Sequence, residues 1–396
     1  MNFRPAHTQI SSPSAKTIAY YAAFTALGMV LASLGPTLPY LADNLKTSLG
    51  QISFLFTGRS LGYLIGSLVG GRLYDRIPGH LVMAATLALM MAGMALVPAM
   101  PSVWALAAVL LGVGIAMGGT DVGANTLLVW LHDRRVGPYL NGLLFFAGVG
   151  GFIAPVIVAQ VLLSVGGVSW SYWVLAALIL PALLAVALQS SPPIRKEDDR
   201  GARIPVNYLL VGFFGAFFFL YVGAESTFGG WLYTYALEMD LADEAQAALM
   251  TSTFWVSLML GRLAAIPIAA RVSPRSIIFA DLAGCVAALA AILTWRQSTL
   301  AVWGGTFLLG FCMASIIPTT LAFAGRRLNV TGRVTGWMFA GGSGGAMFIP
   351  WLVGQMFESS GPPSFIAIIL VDIAAAALVF SGLILYTARL PTSEPE

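Results

Sequence analysis

The chain has 396 residues, of which 58% are hydrophobic and only 9% charged, with a formal net charge of +3. A soluble domain carries roughly 25% charged residues. Water cannot cover so apolar a surface, so most of it must face lipid, which excludes a soluble enzyme and gives no reason to expect nucleic acid as a partner.

A membrane helix needs about 20 apolar residues, and apolar runs of that length predict spans over 17–42, 48–72, 79–99, 102–130, 138–164, 168–190, 206–236, 246–270, 276–295, 299–324, 332–357 and 363–388. The expected fold class is an all-α membrane protein with twelve transmembrane helices. Pro78 and Gly79, Met100 and Pro101, and Gly166 and Gly167 punctuate the runs. No small-residue cleavage site follows the first run, so no removable signal peptide is expected. The basic residues then orient the chain. Both tails and alternate loops hold Arg4, Lys16, Arg72, Arg76, Arg134, Arg135, Arg195, Lys196, Arg200, Arg203, Arg271, Arg275, Arg326, Arg327, Arg333 and Arg389, whereas the opposite loops hold only Lys46 and Arg296. Basic residues stay on the cytoplasmic side. Both termini are therefore expected in the cytoplasm of a multi-pass inner-membrane protein.

The one sustained hydrophilic stretch between spans is SSPPIRKEDDRGAR, with six spans on either side. It predicts an N-terminal six-helix bundle over 1–190, a cytoplasmic linker over 191–205 and a C-terminal six-helix bundle over 206–396. The halves carry a weak repeat. FFAGVGGFIAPVIVAQ in span 5 is echoed by MFAGGSGGAMFIPWLVGQ in span 11, and Pro155 and Gln160 recur 195 positions later as Pro350 and Gln355. The two prolines are candidate gating positions. Cys285 and Cys312 lie in apolar runs, and His7, His80 and His132 lack ligand-like spacing. Neither a disulfide framework, a metal site nor a cofactor is expected.

GRLYDRIPGH at 71–80 resembles the loop signature of the major facilitator transporters, with one residue inserted before the second glycine and His80 where a basic pair is common. That family has two parallel six-helix halves with solute bound at the midplane between them. By resemblance, Gly71, Asp75 and Arg76 belong to a cytoplasmic gate. GRSLGYLIGSLVGG at 58–71, GGTDVGANTLLVWL at 118–131, PYLNGLLFFAG at 138–148 and LYVGAESTFGGWLYTYA at 220–236 are similar to the sodium-dependent glucose transporter branch of the fucose–proton symporters. The resemblance implies uptake of a sugar or similar polar solute driven by Na⁺ or H⁺. Span 1 has no carboxylate before Asp43, where the symporters carry one, so the coupling ion stays open. Span 5 reads APVIVA where antiporters read G-P-x-x-G-G.

Charges at bilayer depth are costly and usually functional. Arg59, Asp121, Glu225, Arg262 and Asp372 lie inside spans, and Asp281 lies near a span end. At about 1.5 Å per residue, Arg59 and Glu225 match in depth near one mouth, and Asp121 and Arg262 match nearer the other. Depth therefore predicts two cross-half ion pairs, Arg59–Glu225 and Asp121–Arg262. The alternative is that each charge is satisfied within its own half. Asp372, on the last span, fits a structural or oligomer role.

Asp121 and Asn125 share one helical face at a spacing of four. Asn141, Gln160 and Gln355 are further amides at membrane depth, and Trp231, Tyr235, Trp255 and Trp337 offer flat surface for a sugar ring. Trp255 ranks first, because it stands two turns from Arg262 on the same face. The expected function is a secondary active transporter for a small polar solute, working as a monomer by alternating access. The alternative is an exporter of amphipathic or lipid-like molecules on the same fold. No nucleotide-binding loop (G-x-x-x-x-G-K-[ST]) and no nucleophile–base set is present, so neither a primary pump nor an enzyme is expected.

Overall fold

The computed structural model describes residues 12–133, 136–165, 167–194, 207–325 and 332–388. Arg4, His7, Arg134, Arg135, Arg195, Lys196, Arg200, Arg203, Arg326, Arg327 and Arg389 lie outside the described residues, as do the side chain of Arg333 and most of the expected linker.

Every described element is helical: α1 Pro13–Asn44, α2 Leu49–Ile52, α3 Phe54–Tyr74, α4 Gly79–Leu96 with a 3-10 turn after it, α5 Val103–His132, α6 Gly137–Val165 and α7 Val168–Ala187, then α8 Tyr208–Glu238, α9 Glu244–Ala269, α10 Pro274–Thr294, α11 Thr299–Met313, α12 Ile316–Gly325, α13 Gly332–Ser360 and α14 Pro363–Thr387. The starts follow local chemistry. Ser12, Ser48, Ser102, Asn207, Asp243, Ser273 and Ser298 each accept a backbone N–H of the first turn, which satisfies a donor that the helix leaves orphaned. Two predicted spans are broken. The second divides at Ser53, whose hydroxyl turns back to the Gly50 carbonyl at 2.6 Å. The tenth divides at Ala314, because Pro318 has no N–H to give the Ala314 carbonyl.

With α2–α3 and α11–α12 each taken as one unit, eleven helices among the described residues are long and apolar enough to cross a membrane. α13 has 29 residues, carries the glycine-rich stretch GGSGG and is not among those eleven. The protein is a multi-pass membrane protein.

Glycines set the closest helix pairs. A Cβ on Gly28 of α1 would meet the Ala147 carbonyl of α6 at 2.0 Å, and one on Gly345 of α13 would meet the Phe219 carbonyl of α8 at 1.8 Å. The α3–α5 contact through Gly66 and Ile115 recurs as the α9–α11 contact through Gly261 and Phe311. Small residues let backbones approach where lipid supplies no hydrophobic drive. The same pairings thus occur in α1–α7 and in α8–α14.

The two sets meet where α1 packs on α8, where α2 and α3 pack on α13, and where α6 packs on α9. Gly35 of α1 lies against the backbone of Gly229 and Gly230 in α8. Thr57 donates to the Met347 carbonyl, Ser60 donates to the Ala346 carbonyl, both at 3.2 Å, and Gln355 donates to the Gly50 carbonyl at 2.7 Å. All three bonds lie toward the end of the bundle that carries α2. Further along the same faces Leu68 and Phe339 are exposed, and nothing lies within 4 Å of a Cβ built on Gly71. The α3 and α13 faces close at one end and part at the other.

Candidate solute site

The ion pairs expected from depth do not form. Arg59 is buried and donates from Nη1 to the Leu31 carbonyl of α1 at 2.9 Å, with its guanidinium 5.7 Å from the Phe56 ring centre. Tyr172 of α7 is its other electrostatic neighbour. Matching height is not matching azimuth. Arg59 reaches from α3 to α1 and α7, and Glu225 on α8 is not among its partners. Asp121 likewise stays within its own set, accepting the Tyr63 hydroxyl of α3 and the Asn125 amide at 3.0 Å.

Glu225 instead stands in the field of Arg262 and against the Tyr221 hydroxyl, all within the C-terminal set. Tyr221 donates to the Met313 carbonyl at 2.6 Å, where α11 ends. Arg262 reaches further. Its Nη1 crosses to α6 and donates to the Leu144 carbonyl at 3.1 Å, while its buried Nε has no hydrogen-bond partner among the described residues. One guanidinium therefore joins the charge on α8 to the contact between the two sets.

Trp255 occupies the same contact two turns away. A Cβ on Gly151 of α6 would fall 2.8 Å from its ring, and one on Gly229 of α8 would fall 3.3 Å from it. Its indole Nε1 is buried and has no partner among the described residues. Trp255, Arg262 and Glu225 thus line the junction of α6, α8 and α9, and the Asp121, Tyr63 and Asn125 group lies between α3 and α5.

The other expected residues are scattered. Asn141 and Gln160 are exposed on α6 and join no other candidate, with Gln160 accepting only Ser164 through its backbone. Gln355 belongs to the closed end, through its bond to Gly50. Trp231 is buried and donates to the Pro350 carbonyl, Tyr235 is buried, and Trp337 is exposed. α8 runs unbroken past Glu225, and its flanking glycines serve as contact points: Gly223 faces Ile349. Asp75 and Arg76 are exposed and hold the turn after α3 through backbone bonds to Gly71 and Leu73. His80 is buried, with Nε2 2.7 Å from the Tyr20 hydroxyl and Nδ1 2.9 Å from the Gln189 carbonyl, so it ties α1, α4 and the end of α7 together. Asp281 accepts the Ser315 hydroxyl, and Asp372 is buried on α14 with Oδ2 unpartnered among the described residues. No group of three or more His, Cys, Asp or Glu among the described residues could hold a metal ion.

The hydroxyls Thr57, Ser60, Tyr63, Tyr221 and Ser252 escaped the sequence reading, which followed charges and amides. A usable signal was present. Thr57 and Ser252 are 195 positions apart, the same offset as Pro155 and Pro350. Each donates to the carbonyl three residues before the proline it faces: Thr57 to Met347, and Ser252 to Phe152 at 3.2 Å.

The closed end yields a first prediction. A hydrogen bond between membrane helices contributes about 0.6 kcal/mol, so removing two shifts an opening equilibrium roughly eightfold. Thr57→Val with Ser60→Ala is expected to raise amide hydrogen exchange in residues 49–57 by about that factor. Unchanged exchange means that these bonds do not hold the end shut.

A fold of glycine-paired membrane helices whose two sets meet around charged and aromatic side chains is that of a solute transporter. The family model of the Major Facilitator Superfamily matches residues 20–350. The chain belongs to that superfamily and is a transporter, not an enzyme. It is 28% identical to sodium-dependent glucose transporter 1 of Xenopus laevis, over 83% of this chain and 73% of that one. It is 26% identical to human major facilitator superfamily domain-containing protein 4A, over 96% and 93%. Among solved structures it is similar to a point mutant of the nucleoside transporter NupG, with a TM-score of 0.76 at 14% identity, covering 94% of this chain and 99% of that one.

Proposed function

We propose that this chain is a secondary active transporter that moves a small, neutral, hydroxyl-rich solute, a sugar or a close relative, by alternating access coupled to Na⁺ or H⁺. The reading takes α2–α3 and α11–α12 as single spans and α13 as the twelfth. Two six-helix bundles then occupy 1–190 and 206–396, joined by the cytoplasmic linker 191–205, in a monomer without cofactor. Lys16, Arg72, Arg76, Arg271 and Arg275 all fall at the end of the bundle opposite α2. The positive-inside rule makes that end cytoplasmic, in a cell's inner membrane. The described state is then closed outside and parted inside.

The observation that carries the reading is the junction of Glu225, Arg262 and Trp255. It offers a carboxylate, a guanidinium and an aromatic face where the two sets meet, and acceptors beside donors suit hydroxyls, which are both. The relatives named for glucose transport support a sugar. Glu225 is the candidate for ion coupling. A bound cation or proton would neutralise its charge and release Arg262 from its field, and Arg262 is the residue that grips α6. That links ion occupancy to the contact that must change between states.

The test is uptake by proteoliposomes. Radiolabelled neutral hexoses are expected to accumulate under an inward Na⁺ or pH gradient, and Glu225→Gln is expected to abolish accumulation while leaving exchange. Absence of hexose uptake, with efflux of amphipathic lipids instead, would replace this reading with that of an exporter.

A further inference from the structure

A proline inside a helix has no N–H for the carbonyl four residues earlier. Pro350 of α13 does this to Ala346, and Pro155 of α6 does it to Gly151. At Ala346 the consequence is visible: the Ser60 hydroxyl of α3, from the other set of helices, donates to that carbonyl at 3.2 Å. Thr57, one turn away, donates to Met347.

The second proline has matching surroundings. Ser252 of α9 stands 195 positions after Thr57 and donates to Phe152, the equivalent of Met347. The position equivalent to Ser60 is Trp255. Its ring lies across Gly151, close enough that a Cβ there would fall 2.8 Å from it, and its buried indole N–H has no partner among the described residues. Where one half presents a hydroxyl to the freed carbonyl, the other lays an indole, its N–H unpartnered among the described residues, across the glycine whose carbonyl its own helix cannot serve.

We propose that the Trp255 indole N–H and the Gly151 carbonyl together form a subsite for one hydroxyl group of the solute. The hydroxyl accepts from the indole and donates to the carbonyl, taking the role that Ser60 performs at Ala346. A thiol or an ether oxygen cannot do both well, and a methylene can do neither. A site built around a substrate hydroxyl rejects the analogue lacking it far more strongly than an apolar pocket distinguishes a methylene. The subsite rests on the sugar reading above and adds to it a position-specific demand for a free hydroxyl. Trp255 is thereby a hydrogen-bonding residue as well as a stacking surface.

The test is equilibrium binding of D-glucose and each of its monodeoxy analogues to the detergent-purified protein. In the wild type, one deoxy position is expected to lose roughly tenfold or more in affinity. Trp255→Phe keeps a ring over Gly151 but removes the N–H. It is expected to weaken D-glucose by a similar factor while binding that one deoxy analogue as well as it binds D-glucose. Pro155→Ala acts on the acceptor instead, returning a helix N–H to the Gly151 carbonyl, and is expected to flatten the same position. It keeps the test open should Trp255→Phe misfold. Unchanged D-glucose affinity in both variants, or an equal loss for every analogue, overturns the subsite. If the wild type binds no hexose, the sugar reading falls and the subsite with it. Binding without position-specific coupling removes the subsite alone.

Discussion

Replacing Arg262 with Met is expected to cut hexose uptake at least a hundredfold and to lower the melting temperature, whereas adding Glu225→Gln to it restores the melting temperature without restoring uptake. Glu225 and Arg262 are half-buried, and removing one of two opposite charges held away from water is destabilising because the other is left uncompensated, whereas removing both is often nearly neutral. Glu225 has Arg262 as its cationic neighbour, so the single variant strands it. The double variant removes the stranded charge but leaves the Leu144 carbonyl without its donor from α9.

Arg262→Lys separates charge from geometry. It keeps a cation near Glu225, so stability should stay near wild type. A compact ammonium on a flexible stem cannot reproduce the planar guanidinium that donates to the Leu144 carbonyl from a position near Glu225, and uptake is expected to fall roughly tenfold or more. Initial uptake rates and thermal unfolding in detergent, measured on the same preparations, check all three variants. Wild-type uptake in Arg262→Met would remove Arg262 from the mechanism.

Much of the architecture was legible because lipid imposes simple rules. Apolar runs marked the long helices, and the offset between Pro155 and Pro350 marked equivalent positions. The charge pairing was not legible, and the reason is geometric. Counting residues along a helix gives height at about 1.5 Å each, but one residue also turns the side chain by about 100°. Arg59 and Glu225 were matched by counted height alone, and Arg59 meets Leu31 while Glu225 has Tyr221 and Arg262 as neighbours. The spacing of seven between Trp255 and Arg262 carries direction as well as height, and the structure has both on the α6 side of α9. Sequence equivalence was also an incomplete guide. Gln355 bonds Gly50 across the closed end, whereas Gln160 is exposed. What surrounds a residue depends on the partner helix, which the offset does not report.

The second large effect belongs to a residue with no side chain. Gly62→Ala is expected to destabilise the protein by about 3 kcal/mol, the upper end for forcing extra volume into a packed site, and Gly112→Ala to stabilise it by up to about 1 kcal/mol. Both are glycines inside helices of the α3–α5 pair, so intrinsic propensity favours alanine equally in each case. Packing decides the sign. A Cβ on Gly62 would lie 2.0 Å from the Leu111 carbonyl oxygen, and the reciprocal one on Gly114 would lie 2.0 Å from the Arg59 carbonyl oxygen, whereas nothing lies within 4 Å of one on Gly112. Backbone carbonyls in helices cannot swing aside as the end of a long side chain can, so α3 and α5 must separate. Separation also pulls Tyr63 from Asp121, leaving a carboxylate short of its hydroxyl donor. Thermal unfolding in detergent distinguishes the two variants, and Gly62→Ala melting with the wild type would mean that the pair is looser than its carbonyl contacts imply. The penalty at Gly62 exceeds the propensity gain about threefold. Helix contact, not helix formation, therefore fixes these positions as glycine and holds the Asp121 group in place.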